Sequence, residues 1–487
     1  MQNGKLRELK RIIVKIFVIT SITLALGWSF LSFAKMTTND NSNGVLDALG
    51  EQQTSFDWDK IVEITSDKQQ ESATEKVTQK EDSTSNNETT TVQQQTETKK
   101  EELKLPVKYD YRKIKKCPKV RNQGKSPYCW AYASVAAVES TLLPREKNKF
   151  SPLDMVDYVK KREDVSEGRT VRSAMSYLLS WNGPVSSTYK TKKHVQSVQK
   201  IEGKKIKKIK KLLYKYGGVT TSIYMHPEVM NSTGRYYNKS TSSLYSDKRI
   251  KNNHIVLIVG WDDNYSKNRF STKPKKNGAF ICMNSWGRSV GEKGFFYLSY
   301  EDKTFGKENA CYTQIESNKN YDNIYQYDEC GDTGYINYEH SKEVYFSNVF
   351  KARKTEKLKA IGFYTESKHI DYEVYVNNKF VKKKSLLKKA TKDAKGYLTN
   401  KGYYTIRLNG GYNLVKGRKF CVTVRIKNKK GNARAPVEKN NKKEGIKVNY
   451  SNGQGYTSVD GIYWDSAEKN KYNVCLKAYT SNHKKSK

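Results

Sequence analysis

The sequence predicts an α+β protein with a helical lobe, a β-barrel-like lobe and then an all-β sandwich. Three observations along its 487 residues support this order. Apolar residues recur at helical spacing from 129 to 142, and two apolar runs at 255–261 and 278–283 are typical of buried strands. Beyond residue 318, short alternating segments are separated by turn residues. We therefore predict four regions: 1–35, 36–102, 103–317 and 318–487.

The first region is a targeting segment. Its uncharged run, 16–34, is just long enough to span a bilayer and follows five basic side chains, Lys5, Arg7, Lys10, Arg11 and Lys15. Since basic flanks stay in the cytoplasm, everything after Lys35 is expected outside the cell. We predict a retained single-pass anchor in the cell membrane. The alternative is a signal peptide cleaved near Ala34, where Ser32-Phe33-Ala34 is an acceptable cleavage site, and a secreted protein.

The second region, 36–102, is dominated by Thr, Gln, Glu, Asn, Ser and Lys. A segment of this composition buries too little apolar surface to offset the entropy lost on ordering. The sequence therefore predicts a disordered stalk between the membrane segment and the folded part of the chain.

Residues 123–142 carry the first candidate site. Pro127 suits the first position of a helix and Ser126 is a good N-cap. One buried helix face is indicated by Trp130, Val135, Val138 and Leu142. Cys129 then lies in the first turn, where free N–H groups and the helix dipole favour a thiolate. The amide of Gln123, on the preceding loop, could donate to a developing oxyanion.

A base and its orienting group are predicted downstream. His254 begins one apolar run, and the next run ends in Asn284-Ser285-Trp286-Gly287. If the two strands pair antiparallel, the start of one lies beside the end of the other, so His254 is next to Asn284. The asparagine oxygen could then accept from one ring nitrogen and leave the other to face the sulfur.

These fragments together resemble the papain family of cysteine peptidases. The shared features are the spacing from Gln123 to Cys129-Trp130, the histidine heading a strand that ends in Gly-Trp, and Asn-Ser-Trp-Gly, in the same order. The resemblance implies that Cys129 is the nucleophile and His254 the acid and base. It implies that Asn284 orients His254 and that Gln123 is the oxyanion donor. By the same resemblance, Trp286 shields the His–Asn hydrogen bond.

The resemblance also implies a two-lobed domain over 103–317, helical to about residue 215 and β-rich beyond it. Gly168 would mark the edge that pairs with an extended substrate, because a glycine lets the two backbones approach closely. The sequence departs from the family at Ser126-Pro127-Tyr128-Cys129-Trp130, where many relatives have Cys-Gly-Ser-Cys-Trp. The disulfide next to the nucleophile therefore cannot form. Asn253 stands where an aspartate often precedes the histidine.

Six further cysteines, at 117, 282, 311, 330, 421 and 475, allow fifteen complete pairings. Cys421 and Cys475 lie in apparent strands and are one candidate pair; free buried thiols are the alternative. Cysteine pairs with metal-ligand spacing are absent from the sequence, so we predict no zinc site and no cofactor.

The last region, 318–487, resembles the lectin-like domain that follows the peptidase in some clostridial cell-surface proteases. The segments 348–352 and 358–365 carry the resemblance. The predicted strands are 344–350, 358–364, 372–376, 404–408, 420–426 and 472–479. Two roles fit such a domain: contact with the cell wall or a glycan, or a scaffold packed against the peptidase.

The chain is strongly basic, with a formal charge of +40 and a pI near 9.6. Such a charge suits nucleic acid, an anionic wall or a membrane surface, but no nucleic-acid motif accompanies it. A lysine-rich segment, 203–218, predicts an amphipathic helix whose apolar stripe packs on the core; the alternative is membrane binding.

The function predicted from these observations is a cell-surface cysteine endopeptidase acting on protein or peptide substrates. Two alternatives remain at this stage. One is a non-catalytic adhesin for cell wall or glycan built on a peptidase scaffold. The other is a transpeptidase, in which an amine replaces water in the second step.

Overall fold

The computed structural model describes residues 103–186, 192–380, 382–383, 386–450 and 454–482. They belong to one compact unit, Lys99–Lys487. The predicted membrane segment (1–35) and stalk (36–102) lie outside the described residues and stay predictions. No helix among the described residues is long and apolar enough to cross a membrane.

Five α-helices occur in the described part of the chain. They are α1 Cys129–Leu142, α2 Pro152–Val159, α3 Val171–Leu179, α4 Ile206–Lys215 and α5 Glu228–Asn231. Helix α2 begins where the sequence signals a start, because Pro152 is its first residue and the Ser151 hydroxyl accepts from the Asp154 N–H. Helix α4 is the predicted lysine-rich helix, and its Ile209, Leu212 and Leu213 are buried in the core.

The strands of the described residues are β1 Lys108–Asp110, β2 Lys193–Ile201, β3 Val219–Ile223, β4 Tyr237–Asn238, β5 Ser243–Leu244, β6 His254–Asp262, β7 Ala279–Met283, β8 Phe295–Ser299, β9 Asn309–Ser317, β10 Asn323–Tyr325, β11 Gly334–Asn337, β12 Glu343–Lys351, β13 Glu356–Thr365, β14 Ile370–Asn377, β15 Thr391–Leu398, β16 Lys401–Leu414, β17 Lys419–Asn428, β18 Arg434–Glu438, β19 Gly455–Ser458, β20 Asp465–Ser466, β21 Asn473–Val474 and β22 Leu476–Asn482. The two runs that carry the candidate histidine and asparagine form β6 and β7.

The largest sheet has 13 strands in the order β10-β22-β13-β16-β2-β9-β3-β6-β7-β8-β5-β4, with β1 paired to β6. It runs without a break from the C-terminal region into the region that holds the candidate site. The joint is the antiparallel pairing of β16 with β2, in which Lys401 lies opposite Lys200 and Tyr404 opposite Ser197. Main-chain hydrogen bonds therefore connect the two regions directly.

Helix α1 differs from its prediction in two ways. It begins at Cys129 with Tyr128 as the N-cap, and the Ser126 hydroxyl instead donates to the Gln123 carbonyl over 2.6 Å. Only Tyr132 and Thr141 escape full burial, so the helix is buried all round and not on one face. Helix α1 is buried on all sides because it packs against β6 and β9 and also against α2 and α3.

The C-terminal region is all-β, as predicted. A six-stranded sheet, β15-β14-β17-β12-β19-β20, shares one apolar core with β13 and β22 of the large sheet. Each predicted segment lies in a strand, except that 472–479 is divided between β21 and β22. Alternation of apolar and polar residues therefore located these strands but not β10, β11, β15, β18, β19 and β20.

An aromatic stack packs at the junction of the two regions. The Trp181 ring lies 3.7 Å from the His194 ring and 4.8 Å from the Tyr479 ring, measured between centroids. Trp181, Tyr321 and Tyr479 are buried together. Burying rings of this size contributes substantially to holding the C-terminal region in place.

All seven cysteines, each of which lies in the described ranges, are free. The candidate pair Cys421–Cys475 was wrong, and the alternative of free thiols is confirmed. The two thiols lie in different apolar clusters: Cys421 packs with Leu386 and Trp464, whereas Cys475 belongs to the large core around α1. Among the described residues, no group of His, Cys, Asp and Glu side chains is placed to hold a metal ion.

Candidate active site

Strands β6 and β7 bring two predicted site residues together. They pair antiparallel, with Leu257 opposite Met283, as the sequence predicts. His254, the first residue of β6, therefore lies beside Asn284, which follows β7. Nε2 of His254 is 2.8 Å from Oδ1 of Asn284. Because an amide oxygen can only accept, Nε2 carries the proton and Nδ1 is the nitrogen left for chemistry.

The imidazole is enclosed. The Trp286 ring lies 4.8 Å from the His254 ring, and only 5% of His254 and 3% of Asn284 is exposed. Burial lowers the pKa of His254 from 6.5 to about 4, against the opposing effect of the hydrogen bond to Asn284. The imidazole is therefore neutral at neutral pH.

Cys129 is the first residue of α1 and faces the same cleft as His254. Burial raises the pKa of the Cys129 thiol, and main-chain hydrogen bonds at Ile255, Trp130 and Cys129 itself act in the opposite direction. The predicted acidic thiol was therefore wrong for this state. The loss of water around a buried sulfur outweighs the effect of the helix N-terminus.

Among the described residues, no hydrogen bond joins the Cys129 thiol to the His254 imidazole, although both line one cleft. Burial raises the pKa of the thiol and lowers that of the imidazole, so it favours the neutral form of each group. Catalytic hydrogen bonds in unliganded sites are often long and tighten when substrate binds.

Gln123 is fixed from both ends of its side-chain amide. Its Nε2 donates to the Ser126 carbonyl over 2.6 Å, and its Oε1 accepts from the Ser285 hydroxyl over 2.5 Å. The main chain adds a bond from the Gln123 N–H to the Ser285 carbonyl, 2.8 Å. One amide hydrogen of Gln123 remains for a ligand. Sequence reasoning missed Ser285 as a positioning residue, although it directly follows Asn284.

The cleft has a volume of about 1280 Å³. It is lined by the predicted residues Gln123, Cys129, Gly168, His254 and Trp286. Gly168 has φ +81°, and a Cβ there would lie 3.0 Å from the Pro127 carbonyl oxygen. A glycine is thus required by the local backbone itself, apart from any contact with substrate.

Sequence reasoning also missed one part of the cleft lining. Its lining includes Glu308 and, from the C-terminal region, Glu366, Lys443 and Glu444. The local sequence carries no signal for this group, because its members are brought together only by the packing of the two regions.

Two protein-family models match different parts of the chain. A model described as papain family cysteine protease matches residues 105–321, and one described as lectin like domain matches residues 324–480. The chain carries a papain-family cysteine protease domain followed by a lectin-like domain. The protease domain holds the candidate catalytic residues, and the lectin-like domain provides the all-β region and part of the cleft.

Solved structures share both domains. The clostridial cysteine protease Cwp84 after propeptide cleavage is 25% identical with a TM-score of 0.69, over 77% of this chain and 99% of that chain. A structure of the cysteine protease and lectin-like domains of Cwp84, a surface layer associated protein of Clostridium difficile, is 26% identical with a TM-score of 0.69, over 78% and 90%. The likeness therefore extends through most of the described residues.

Curated relatives match less than half of this chain. Cathepsin K of Mus musculus is 26% identical over 229 residues, which cover 43% of this chain and 63% of that protein. Ananain of Ananas comosus is 22% identical over 210 residues, covering 42% and 58%. The chain thus spans less than two thirds of the length of either relative.

Proposed function

We propose that this protein is a cell-surface cysteine endopeptidase that uses Cys129, His254 and Asn284. The observation that carries the proposal is the 2.8 Å hydrogen bond that orients His254 across the cleft from a cysteine at a helix N-terminus. The papain-family match to this domain supports it.

The first half of the reaction acylates the cysteine. The Cys129 thiol gives its proton to Nδ1 of His254, and the sulfur attacks the substrate carbonyl carbon. The N–H of Cys129 and the free amide hydrogen of Gln123 hold the oxyanion. His254, kept in place by Asn284, then protonates the leaving amine, and a thioester remains on Cys129.

The second half releases the acid. His254 takes a proton from water, whose oxygen attacks the thioester, and the sulfur leaves with that proton. The burial of His254 favours this cycle, because a neutral imidazole is the form that can accept a proton in each half. Trp286 covers the His–Asn pair and excludes water from it.

The test is selective labelling and loss of activity. We expect an epoxide thiol reagent to modify Cys129 and the Cys129→Ala variant to lose cleavage of casein. Cys117→Ala, at a half-buried cysteine elsewhere, is the matched control and should retain both. A folded protein that leaves Cys129 unlabelled and cuts no protein would instead support the adhesin. Products that grow with added amine would support the transpeptidase.

The extracellular location is proposed from the sequence. The basic flank and the uncharged run 16–34 support a membrane anchor with the domains outside. Biotinylation of intact cells that express the full chain tests it. Label on the cell-bound protein is expected; label-free protein in the cytoplasm contradicts the proposal, and protein found only in the medium supports cleavage near Ala34.

A further inference from the structure

The lectin-like domain forms part of the substrate cleft. The turn at Lys442–Glu444 is docked on the protease domain, since the Lys447 N–H donates to the Arg162 carbonyl over 3.2 Å. Glu444 lies 3.4 Å from Arg172. Glu366 lies at the end of β13 and accepts from Lys200 over 2.8 Å. Both glutamates therefore reach the cleft from fixed positions.

A short chain of contacts connects this end of the cleft to the catalytic histidine. Asn252, two residues before His254, donates from its side chain to the Ser222 hydroxyl over 2.9 Å. The Glu308 N–H donates to the same hydroxyl over 3.2 Å. Glu308 thus lies beside the strand that pairs with β6, and it lines the same cleft as His254.

The Glu308 carboxylate has no cationic partner. Among the described residues, no lysine, arginine or histidine lies within 4.0 Å of its oxygens, and the main chain at Val171 favours its charged form. Burial raises the pKa of Glu308, and the more distant Lys200 and Arg172 oppose this. A carboxylate placed in a cleft without a contacting cation is costly until a ligand supplies one.

The nearby cations are already engaged by other carboxylates. Lys200 contacts Asp332 at 3.3 Å as well as Glu366 at 2.8 Å. Arg172 contacts Glu163 at 2.7 Å as well as Glu444. Each cation is therefore shared by two carboxylates, so neither is free to pair with Glu308.

Five further cations border the cleft: Lys125, Arg169, Lys251, Lys307 and Lys443. Arg169 lies 3.6 Å from Glu163, and its Nε has no hydrogen-bond partner. The four lysines have exposed side chains that water screens. None of these five cations lies within 4.0 Å of the Glu308 carboxylate.

We propose that this end of the cleft binds a lysine or arginine side chain of the protein substrate through Glu308, assisted by Glu366 and Glu444 of the lectin-like domain. The lectin-like domain then takes part in choosing which peptide bond is cut. This proposal rests on the proposed peptidase function and adds the substrate class to it.

The experiment uses the full chain and a mixture of peptides with all side chains represented. Cleavage products, identified by mass spectrometry, should show lysine and arginine enriched at one fixed position relative to the cut. For a peptide pair with Lys or Gln at that position, we expect kcat/KM to favour Lys by about tenfold or more, as for a charge-assisted hydrogen bond.

Single variants then show which glutamate is responsible for the preference for lysine. Glu308→Gln should abolish the Lys-over-Gln ratio, and Glu366→Gln and Glu444→Gln should reduce it by smaller factors. Glu339→Gln, at an exposed carboxylate outside the cleft, is the matched control and should keep it. Titration of Cys129 with the epoxide corrects each rate for the active fraction.

Several results would overturn the proposal. One is an active enzyme that does not prefer substrates with lysine or arginine at a fixed position. Another is a preference for acidic side chains that depends on Arg169. The third is a preference for lysine or arginine that is unchanged in Glu308→Gln. If Glu308→Gln does not fold, the proposal is tested by the cleavage preference of the native protein and by the Lys-over-Gln ratios of Glu366→Gln and Glu444→Gln. A chain that neither reacts with the epoxide nor cuts any peptide would refute the peptidase function itself, a result distinct from all of these.

Discussion

At the scale of single residues, burial decides the state of the candidate catalytic groups. It raises the pKa of the Cys129 thiol and lowers that of the His254 imidazole, which favours the neutral form of both. The identities of these residues could be predicted from the sequence. Their protonation could not, because it depends on how much water the folded cleft excludes.

Ser285 is expected to act through Gln123. Removing its hydroxyl in Ser285→Ala frees the Gln123 amide oxygen, now held at 2.5 Å. We expect kcat to fall by about tenfold with little change in KM, since loss of a whole oxyanion donor costs roughly 10²–10³.

A double-mutant cycle provides the control for Ser285. Ser285→Ala added to Gln123→Ala should have no further effect, because the hydroxyl acts only through that amide. Additive losses in steady-state kinetics would contradict the positioning role.

The buried His254 should also make stability depend on pH. Its pKa is about 4 when folded and 6.5 in the unfolded chain, so between these values the unfolded state binds more protons. Stability from this group is present above pH 6.5 and is lost as pH falls towards 4, by roughly 3 kcal/mol.

Urea unfolding near pH 7 and near pH 4.5 measures this loss. Cys129→Ala, which prevents self-cleavage, is compared with the same variant carrying His254→Gln. The variant without the histidine should lose less free energy of unfolding on acidification. Equal losses in the two proteins would show that His254 is not buried in its neutral form.

At the scale of elements, the pairing of β16 with β2 joins the two domains. Gly402 makes this pairing possible: its φ is +145°, and a Cβ there would lie 1.9 Å from the Val198 carbonyl oxygen. The sequence predicted the β16 strand. No local pattern indicated that it would pair with β2 of the protease domain, about 200 residues earlier. Register between strands so far apart in the sequence is set by tertiary packing.

Gly402→Ala should therefore destabilise the protein by about 2 kcal/mol or more, since the backbone must shift to avoid the clash. Gly410→Ala in the same strand is the matched control, because a Cβ there meets nothing within 4 Å. Thermal unfolding should show a lower Tm for Gly402→Ala than for Gly410→Ala. Equal Tm values would mean that the strand junction tolerates a side chain.

At the scale of the whole molecule, the two domains share a sheet, an aromatic stack and a cleft. The order of the domains and most strands of the lectin-like domain could be predicted, because alternation and apolar runs are local signals. The contribution of Glu366 and Glu444 to the cleft could not, since it arises only when the domains dock. The same holds for the stacking of Tyr479 on Trp181.

A chain ending at residue 322 should fail to fold stably. It would expose the edge of β2 and uncover Trp181, which now packs on Tyr479. In the Cys129→Ala background, we expect the shortened chain to bind an apolar dye and to lack the cooperative thermal transition of the full chain. A shortened chain that melts at the temperature of the full chain would show that the protease domain folds independently.

The strand junction also has a mechanical consequence. The segment of β2 that pairs with β16 ends at Lys200, which lines the cleft beside Ile201. Suppose that the lectin-like domain binds a wall polymer while another part of the chain is held in place. Tension between these two points would then pass through the paired strands β2 and β16 to the substrate cleft. The rate of cleavage would then depend on the load between the two domains.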